Sequence, residues 1–237
     1  MLSLNCRDLS NDKKRNIVFS WCKKQKLDIL FLQETHCVKE CETEWANQWG
    51  NKNAFFSNGK SNARGTMVLL RKGFEILKEK LITDSQGRHI IFKAKIQETP
   101  FYLINLYAPN NDKEELIDFY SKVKTIIENE GINALNNIII GGYFNCPLDP
   151  LLDKFGSLSN LRTPVVDKIN ELITSFELKD IWRLKNPNKR CYTWRHASKL
   201  LMSRIDLWLT CIELQDNIDK TRYPNRSCRN FSFHTKQ

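Results

Sequence analysis

The sequence predicts an α/β layered fold, on three observations. Apolar runs of strand length alternate with stretches of helical spacing along nearly the whole chain, the pattern of helices layered on a sheet. One run, Asn137-Ile138-Ile139-Ile140, is β-branched and uninterrupted, as in a strand buried on both faces, and Gly141-Gly142 behind it supply a sharp turn that delivers Tyr143, Phe144 and Asn145 to a sheet edge. Asn5, Glu34, Tyr107 with Asn110, and Asp206 stand at or just beyond the ends of other apolar runs, where side chains from several strands can converge on one pocket.

In chain order, Ser3 to Cys6 is a short first strand. Asn11 to Lys26 has helical spacing, with Ile17, Val18, Trp21 and Cys22 on one side, and Asp28 to Gln33 is a strand with a continuous apolar run. Trp45 and Trp49, four apart, belong to the core face of a second helix. Met67 to Arg71, His89 to Ile96 and Phe101 to Leu106 read as strands. Asp112 to Glu130 is a helix striped by Leu116, Phe119, Tyr120, Val123, Ile126 and Ile127, and Gly131 stops it. Pro147 and Pro150 mark a loop. Thr163-Pro164 opens a helix carrying Val166, Ile169, Ile173 and Phe176, and Ile205 to Leu209 is the last clear strand.

A length of 237 residues suits one domain, residues 1–237, and no repeat or linker divides it. With 41% apolar and 27% charged residues the composition is globular, and no apolar run approaches the length of a membrane span or a secretory signal. The formal net charge of +10 points to a polyanion as partner. Two stretches concentrate it: Lys220 to Gln237, with Lys220, Arg222, Arg226, Arg229 and Lys236 and no acid, and Arg190 to Arg204, with Tyr192 and Trp194 interleaved for stacking. The 8 cysteines are scattered, without paired zinc spacing, and read as reduced thiols of an intracellular protein.

Six segments, in order, carry a resemblance. They are Leu4-Asn5-Cys6-Arg7, Leu32-Gln33-Glu34-Thr35, Asn105-Leu106-Tyr107-Ala108-Pro109-Asn110, Gly141-Gly142-Tyr143-Phe144-Asn145, Tyr192-Thr193-Trp194 and Ser203-Arg204-Ile205-Asp206. Together they resemble the exonuclease-endonuclease-phosphatase superfamily of AP endonucleases and DNase I, and more closely the endonuclease domain of non-LTR (LINE-type) retrotransposons. The resemblance implies a four-layer sandwich of two mixed β-sheets flanked by helices, acting on duplex DNA with Mg²⁺, inside the cell and in the nucleus at its site of action, with a reverse transcriptase once fused to it. It implies that Glu34 and Asn5 hold the metal, that Tyr107 and Asn145 donate to the phosphate, and that Asp206 orients His234 at the scissile group. Asn110, Thr193 and Ser203 fall on the family's DNA-binding contacts and groove-reading loop, and Arg204, among the same DNA-binding positions, is implied to support that loop. The family continues past the position of His234 into a closing strand that this chain is expected to lack.

Two departures matter. The family has aspartates where this chain has Tyr143 and Phe233. The first orients the attacking water and the second binds metal beside the histidine, and a phenol with a pKa of about 10 is a poor base at neutral pH. Asp8 stands where the family commonly has glycine. The expectation is a retrotransposon-type endonuclease domain in an impaired copy. The alternatives are a noncatalytic DNA-binding remnant and, against the basic character of Arg190 to Arg204, a phosphatase or phospholipase on the same fold.

Overall fold

The structure, a computed structural model, describes residues 1–50, 53–60, 62–110, 112–156, 163–198, 200–222 and 230–235, with side chains through 215 and at 218. Two mixed β-sheets flanked by helices make up the fold. The chain forms two compact units, Met1–Tyr107 with Ile140–Gly142 and Ala108–Ile139 with Tyr143–Gln237.

In unit 1, β1 (Leu2–Asn5) pairs in parallel with β2 (Ile29–Gln33), which pairs antiparallel with β4 (Thr66–Leu70), itself antiparallel to β3 (Ala54–Ser57). Between β1 and β2 runs α1 (Asp12–Lys24), started by Asn11, whose side chain accepts from the Lys14 amide at 3.0 Å. The face α1 buries is only in part the expected one: Cys22 is buried and Val18 and Trp21 pack against the core, but the stripe is turned toward Arg15 and Phe19 and away from Ile17. Arg15, Phe19 and Cys22 are buried while Ile17 is 69% exposed. An arginine can take a core position when its head is fully paired. Arg15 donates to the carbonyls of Leu9 (2.9 Å) and Ser10 (3.3 Å), to Gln48 and to Glu44, and lies over the Trp45 ring. Trp45 and Trp49 of α2 (Glu42–Trp49) are buried, as expected.

The second sheet of unit 1 is the antiparallel run β5 (Leu77–Thr83), β6 (His89–Ile96) and β7 (Thr99–Tyr107). A fully buried polar chain ties the two sheets together. Gln33 donates to Asn105 at 2.7 Å and exchanges hydrogen bonds with Ser3, and Asn105 donates to the Leu32 and Met67 carbonyls at 3.1 and 2.9 Å. Ahead of β6, the Asp84 carboxylate accepts from the amides of Gln86, Arg88 and His89 and from the Ser57 hydroxyl. Burial pushes the pKa of His89 down, opposed in part by Asp84 with Oδ1 at 3.9 Å.

The pH dependence of stability follows from that shift. The unfolded chain takes up a proton near the ordinary histidine value of about 6.5, while the folded chain resists until lower pH. Stability from this site is therefore present above that value and is lost as pH falls from it toward the folded pKa. His89→Gln is expected to flatten the fall in urea midpoint between about pH 7 and pH 5. An unchanged pH profile would assign that fall to other groups.

The strand expected to end at a Gly-Gly turn instead continues through it. β8 (Asn137–Tyr143) includes both glycines; its residues Ile140–Gly142 count with unit 1, where its neighbour is β7. Gly142 has φ +136°, and a Cβ there would lie 2.1 Å from the Leu106 carbonyl oxygen. The glycine serves close approach of two backbones, not a turn.

In unit 2, β8 neighbours β13 (Asp206–Cys211), which pairs antiparallel with β10 (Leu178–Asp180). α3 (Lys113–Asn129) starts at Asp112, whose carboxylate accepts from the Glu114 and Glu115 amides, and α5 (Pro164–Ser175) starts at Thr163, whose hydroxyl accepts from Val166. The two helices pack on each other. Short segments complete the unit: α4 (Pro150–Asp153), α6 (Ile181–Lys185), the small sheet of β9 (Lys154–Phe155), β12 (Met202–Ser203) and β11 (Trp194–Arg195), and the antiparallel pair β14 (Ile218–Arg222) and β15 (Asn230–Thr235). Among the described residues no helix is long and apolar enough to cross a membrane, and seven cysteines are free thiols.

Candidate active site

Parallel pairing of β1 and β2 sets Asn5 opposite Gln33, so Glu34, the next residue, emerges beside Asn5. The Asn5 side-chain Nδ2 donates to Glu34 Oε1 at 2.7 Å, and the Asn5 side-chain Oδ1 accepts from the Arg7 backbone amide at 3.1 Å. Asn5 is thus held from both ends, and it orients one oxygen of the half-buried carboxylate. The loops that follow are laced together: Asp8 donates its amide to the Glu34 carbonyl, Leu9 to Thr35, Thr35 to Gly65 and His36 to Arg64, at 2.7 to 3.1 Å.

Left-handed backbone concentrates in these loops. Arg7, Asp8, Glu34, His36 and Arg64 have φ of 50°, 74°, 52°, 58° and 66°. Each such residue costs about 1–2 kcal/mol and persists because its surroundings over-determine it, a concentration of strain that marks functional loops. Asp8 fills the position expected for glycine and anchors itself: its carboxylate accepts from the Ser10 amide at 2.7 Å and lies 3.5 Å from His36 Nδ1. Burial opposes ionisation there, but the Ser10 hydrogen bonds and the charges of His36 and Lys14 outweigh it and hold the carboxyl below its usual range. Tyr107, buried at the end of β7, has the Arg88 guanidinium 5.0 Å from its ring centre.

Unit 2 holds the other named residues in two groups. Asn145, at φ 51°, gives its side-chain amide to the carbonyls of Pro109 (2.5 Å) and Asn110 (2.7 Å), pinning the loop after β7. Donation to a phosphate from Asn145 requires giving up one of these bonds. Tyr143 ends β8 half-buried, its carbonyl accepting from the Ala108 amide at 2.9 Å. In the second group the buried Thr193 hydroxyl accepts from the amides of Ile205 (3.0 Å) and Asp206 (3.1 Å), while the Thr193 amide donates to the Ser203 carbonyl. Thr193 thereby fixes the start of β13, where Asp206 sits.

Arg204, expected among the DNA-binding positions as the support of the groove-reading loop, is wholly buried and meets no solvent-borne partner directly. Its guanidinium grips Asp153 through Nε and Nη2, both at 2.8 Å, and Nη2 also donates to Asp180 at 2.6 Å. Arg183 binds the same Asp153 carboxylate, and Trp182 lies 5.0 and 5.2 Å from the two guanidinium carbons. Phe233 and His234 lie on β15, with Thr221 and Lys220 as their cross-strand partners; their side chains lie outside the described residues, as do Arg226, Arg229 and Lys236.

No protein-family model matches the chain. In sequence it is similar to the 149 kDa protein of transposon TX1 from Xenopus laevis, 27% identical over 206 residues. The match covers 86% of this chain and spans 15% of the length of that relative. In structure it is similar to the AP endonuclease LMAP of Leishmania major, with 16% identity and a TM-score of 0.78 over 100% of this chain and 87% of that one. The APE2 catalytic domain of Xenopus laevis is similar at 17% identity and a TM-score of 0.76, over 99% and 91%. The 3′ phosphatase NExo of Neisseria, bound to a product DNA hairpin, is similar at 16% identity and a TM-score of 0.75, over 100% and 98%. The chain has the AP endonuclease fold.

That nuclease-type fold bears out the DNase I-like class expected from the sequence, and the transposon relative agrees with the resemblance to LINE-type endonuclease domains. Sequence reasoning overlooked the residues that hold the named ones. The cluster of Asp153, Asp180, Arg183 and Arg204 gave no local signal, because the ion pairs that build it join residues 24 to 51 positions apart. Asn105 did leave one, a carboxamide inside the apolar run Phe101 to Leu106.

Proposed function

We propose that the chain is a Mg²⁺-dependent phosphodiester-cleaving domain of a LINE-type element that nicks duplex DNA, in a copy weakened by Tyr143 and Phe233. The observation that carries the reading is the Asn5–Glu34 pair at adjacent strand ends, at 2.7 Å, within a nuclease-type fold. Fold alone does not choose a reaction. A carboxylate held at one oxygen by a carboxamide, amid strained and interlocked loops, is a site organised beforehand.

The donor set suits a hard cation, which takes one or two carboxylate oxygens and keeps several waters. Glu34 would hold it, with Asn5 as the orienting partner. When bound, the ion supplies charge neutralisation at the phosphoryl oxygens. On the family resemblance the chain's own residues would do the rest: Tyr107 and Asn145 would each donate to the phosphate, and Asp206 would orient His234 for proton transfer to the leaving oxygen. Tyr143 stands where the family has the aspartate that orients the attacking water, and a phenol is a poor base at neutral pH, so activation of the water should suffer. The loop after β7 and the hairpin from Thr193 to Ser203 contact the DNA.

The test is supercoiled plasmid with Mg²⁺, with and without chelator, beside a Mg²⁺ titration followed by thermal unfolding. Slow nicking that the chelator stops is expected, and Glu34→Gln should lower it by about 100-fold and abolish the Mg²⁺-induced rise in Tm. If Mg²⁺ stabilises Glu34→Gln as much as the natural chain, the metal assignment is wrong. Salt-sensitive duplex binding with no nicking at any Mg²⁺ concentration would favour the noncatalytic reading.

A further inference from the structure

The small sheet β9-β12-β11 combines exposed apolar side chains with a charged, buried root. Phe155 is 48% exposed, Leu200 69% and Leu201 37%, with Lys154, Trp194 and Arg195 around them. Such a surface keeps a fixed shape only if something below it is rigid, because two-residue strands have little pairing of their own. The root supplies that. Asp153 immediately precedes β9 and is 0% exposed; Arg204 immediately follows β12 and grips it with two parallel hydrogen bonds; Arg183, the third member, donates to the carbonyls of Asn186, Pro187 and Lys189 in the segment leading to β11. One carboxylate therefore reaches all three strands. Asp180 completes the charge balance, so two aspartates face two arginines.

A second link lies at the outer end. Gly156, at φ +83°, passes so close to the hairpin that a Cβ there would stand 1.7 Å from the Leu200 carbonyl oxygen. The hairpin tip is seated on the backbone that Asp153 anchors.

We propose that Asp153 is a positioning residue for nucleic-acid recognition: by joining Arg204 and Arg183 at the root, it sets the pose in which the apolar tip around Leu200 meets duplex DNA. This rests on the DNA-binding reading above and adds the residue that controls it. Asp153→Asn keeps the shape of the side chain but leaves the buried Arg204 and the partly buried Arg183 with one fewer negative charge, the costly way to break a buried network.

Two measurements test it. Hydrogen exchange is followed at the amides of His196, which donates to Leu201 at 2.9 Å, and Thr193, which donates to Ser203 at 2.9 Å, beside α3 amides as reference. In Asp153→Asn the hairpin amides should exchange at least about tenfold faster, and those of α3 should change by less than about threefold. Duplex affinity is then measured in a double-mutant cycle with Leu200→Ala. That substitution should weaken the natural chain by about five- to tenfold and have almost no effect in the Asp153→Asn background. Should Asp153→Asn not fold, Arg204→Lys, which keeps the charge and loses the two-pronged grip, should give the same pattern at smaller size.

Equal acceleration in hairpin and α3 would make Asp153 a general stability residue and overturn the proposal. So would additive effects of Asp153→Asn and Leu200→Ala on affinity. A natural chain that shows the exchange pattern but binds no duplex sinks the DNA-binding reading and, with it, the recognition role, while the structural lock stands.

Discussion

Tyr143→Asp combined with Phe233→Asp is expected to raise plasmid nicking in Mg²⁺ by about 10²- to 10⁴-fold, the size typical of a single acid-base or electrostatic group. The expectation comes from a mismatch. Asn5, Glu34, Tyr107, Asn145 and Asp206 are all present and held in place, while the two positions that carry aspartate in the resembling family are aromatic. The two restorations should cooperate, since a positioned water is useful only where the phosphate is also held, so the double variant should exceed the product of the single ones. Packing works against the change at Tyr143, which is half-buried; an aspartate leaves volume there and a carboxylate that needs a partner. Thermal unfolding and duplex binding are therefore measured first. A double variant that folds and binds DNA but nicks no faster than the natural chain, together with Mg²⁺ binding unaffected by Glu34→Gln, would mean that these residues do not form a hydrolytic site.

What could be read from the sequence were the features that act over a few residues. Asn11, Asp112 and Thr163 start α1, α3 and α5 by capping amides two or three positions ahead, and the same polar residues mark those starts in the bare sequence. β2 and β6 were visible as apolar runs. β3 and β5 were not: Leu77–Thr83 is a largely exposed edge strand rich in lysine, and its register shifts between Lys78 and Lys80. The candidate site divides in the same way. Asn5 and Glu34 could be placed together because both end strands, yet the support beneath them could not. Arg15 reads as one more basic residue on a helix until Leu9, Ser10 and Glu44 are brought to it, and Arg204 reads as a support of the groove-reading loop whose partner, Asp153, comes from 51 positions away. Pairings of that range leave no trace in local periodicity.

Gly142→Ala is expected to destabilise the fold by at least about 3 kcal/mol, among the largest effects a single added methyl can have. Two causes are superposed at this position. The φ of +136° is one that side-chain-bearing residues rarely adopt, and the new Cβ would stand 2.1 Å from the Leu106 carbonyl oxygen and 2.9 Å from the Leu106 nitrogen. Both of those atoms are backbone in the neighbouring strand β7, so relief requires moving a strand rather than turning a side chain. Gly131→Ala separates the causes. That glycine has φ +70° at the end of α3 with nothing within 4 Å of a new Cβ, so its substitution should cost only the conformational penalty of about 1–2 kcal/mol. The comparison is made by urea denaturation of the two variants and the natural chain, with the slope checked for a change in the unfolding reaction. A clash between strands predicts that the Gly142 variant loses at least twice as much as the Gly131 variant. Because Gly142 immediately precedes Tyr143, the same variant should also lose duplex nicking in the Tyr143→Asp background even where enough folded protein survives to be assayed. Equal losses at the two glycines would show that the approach of β8 to β7 relaxes at little cost.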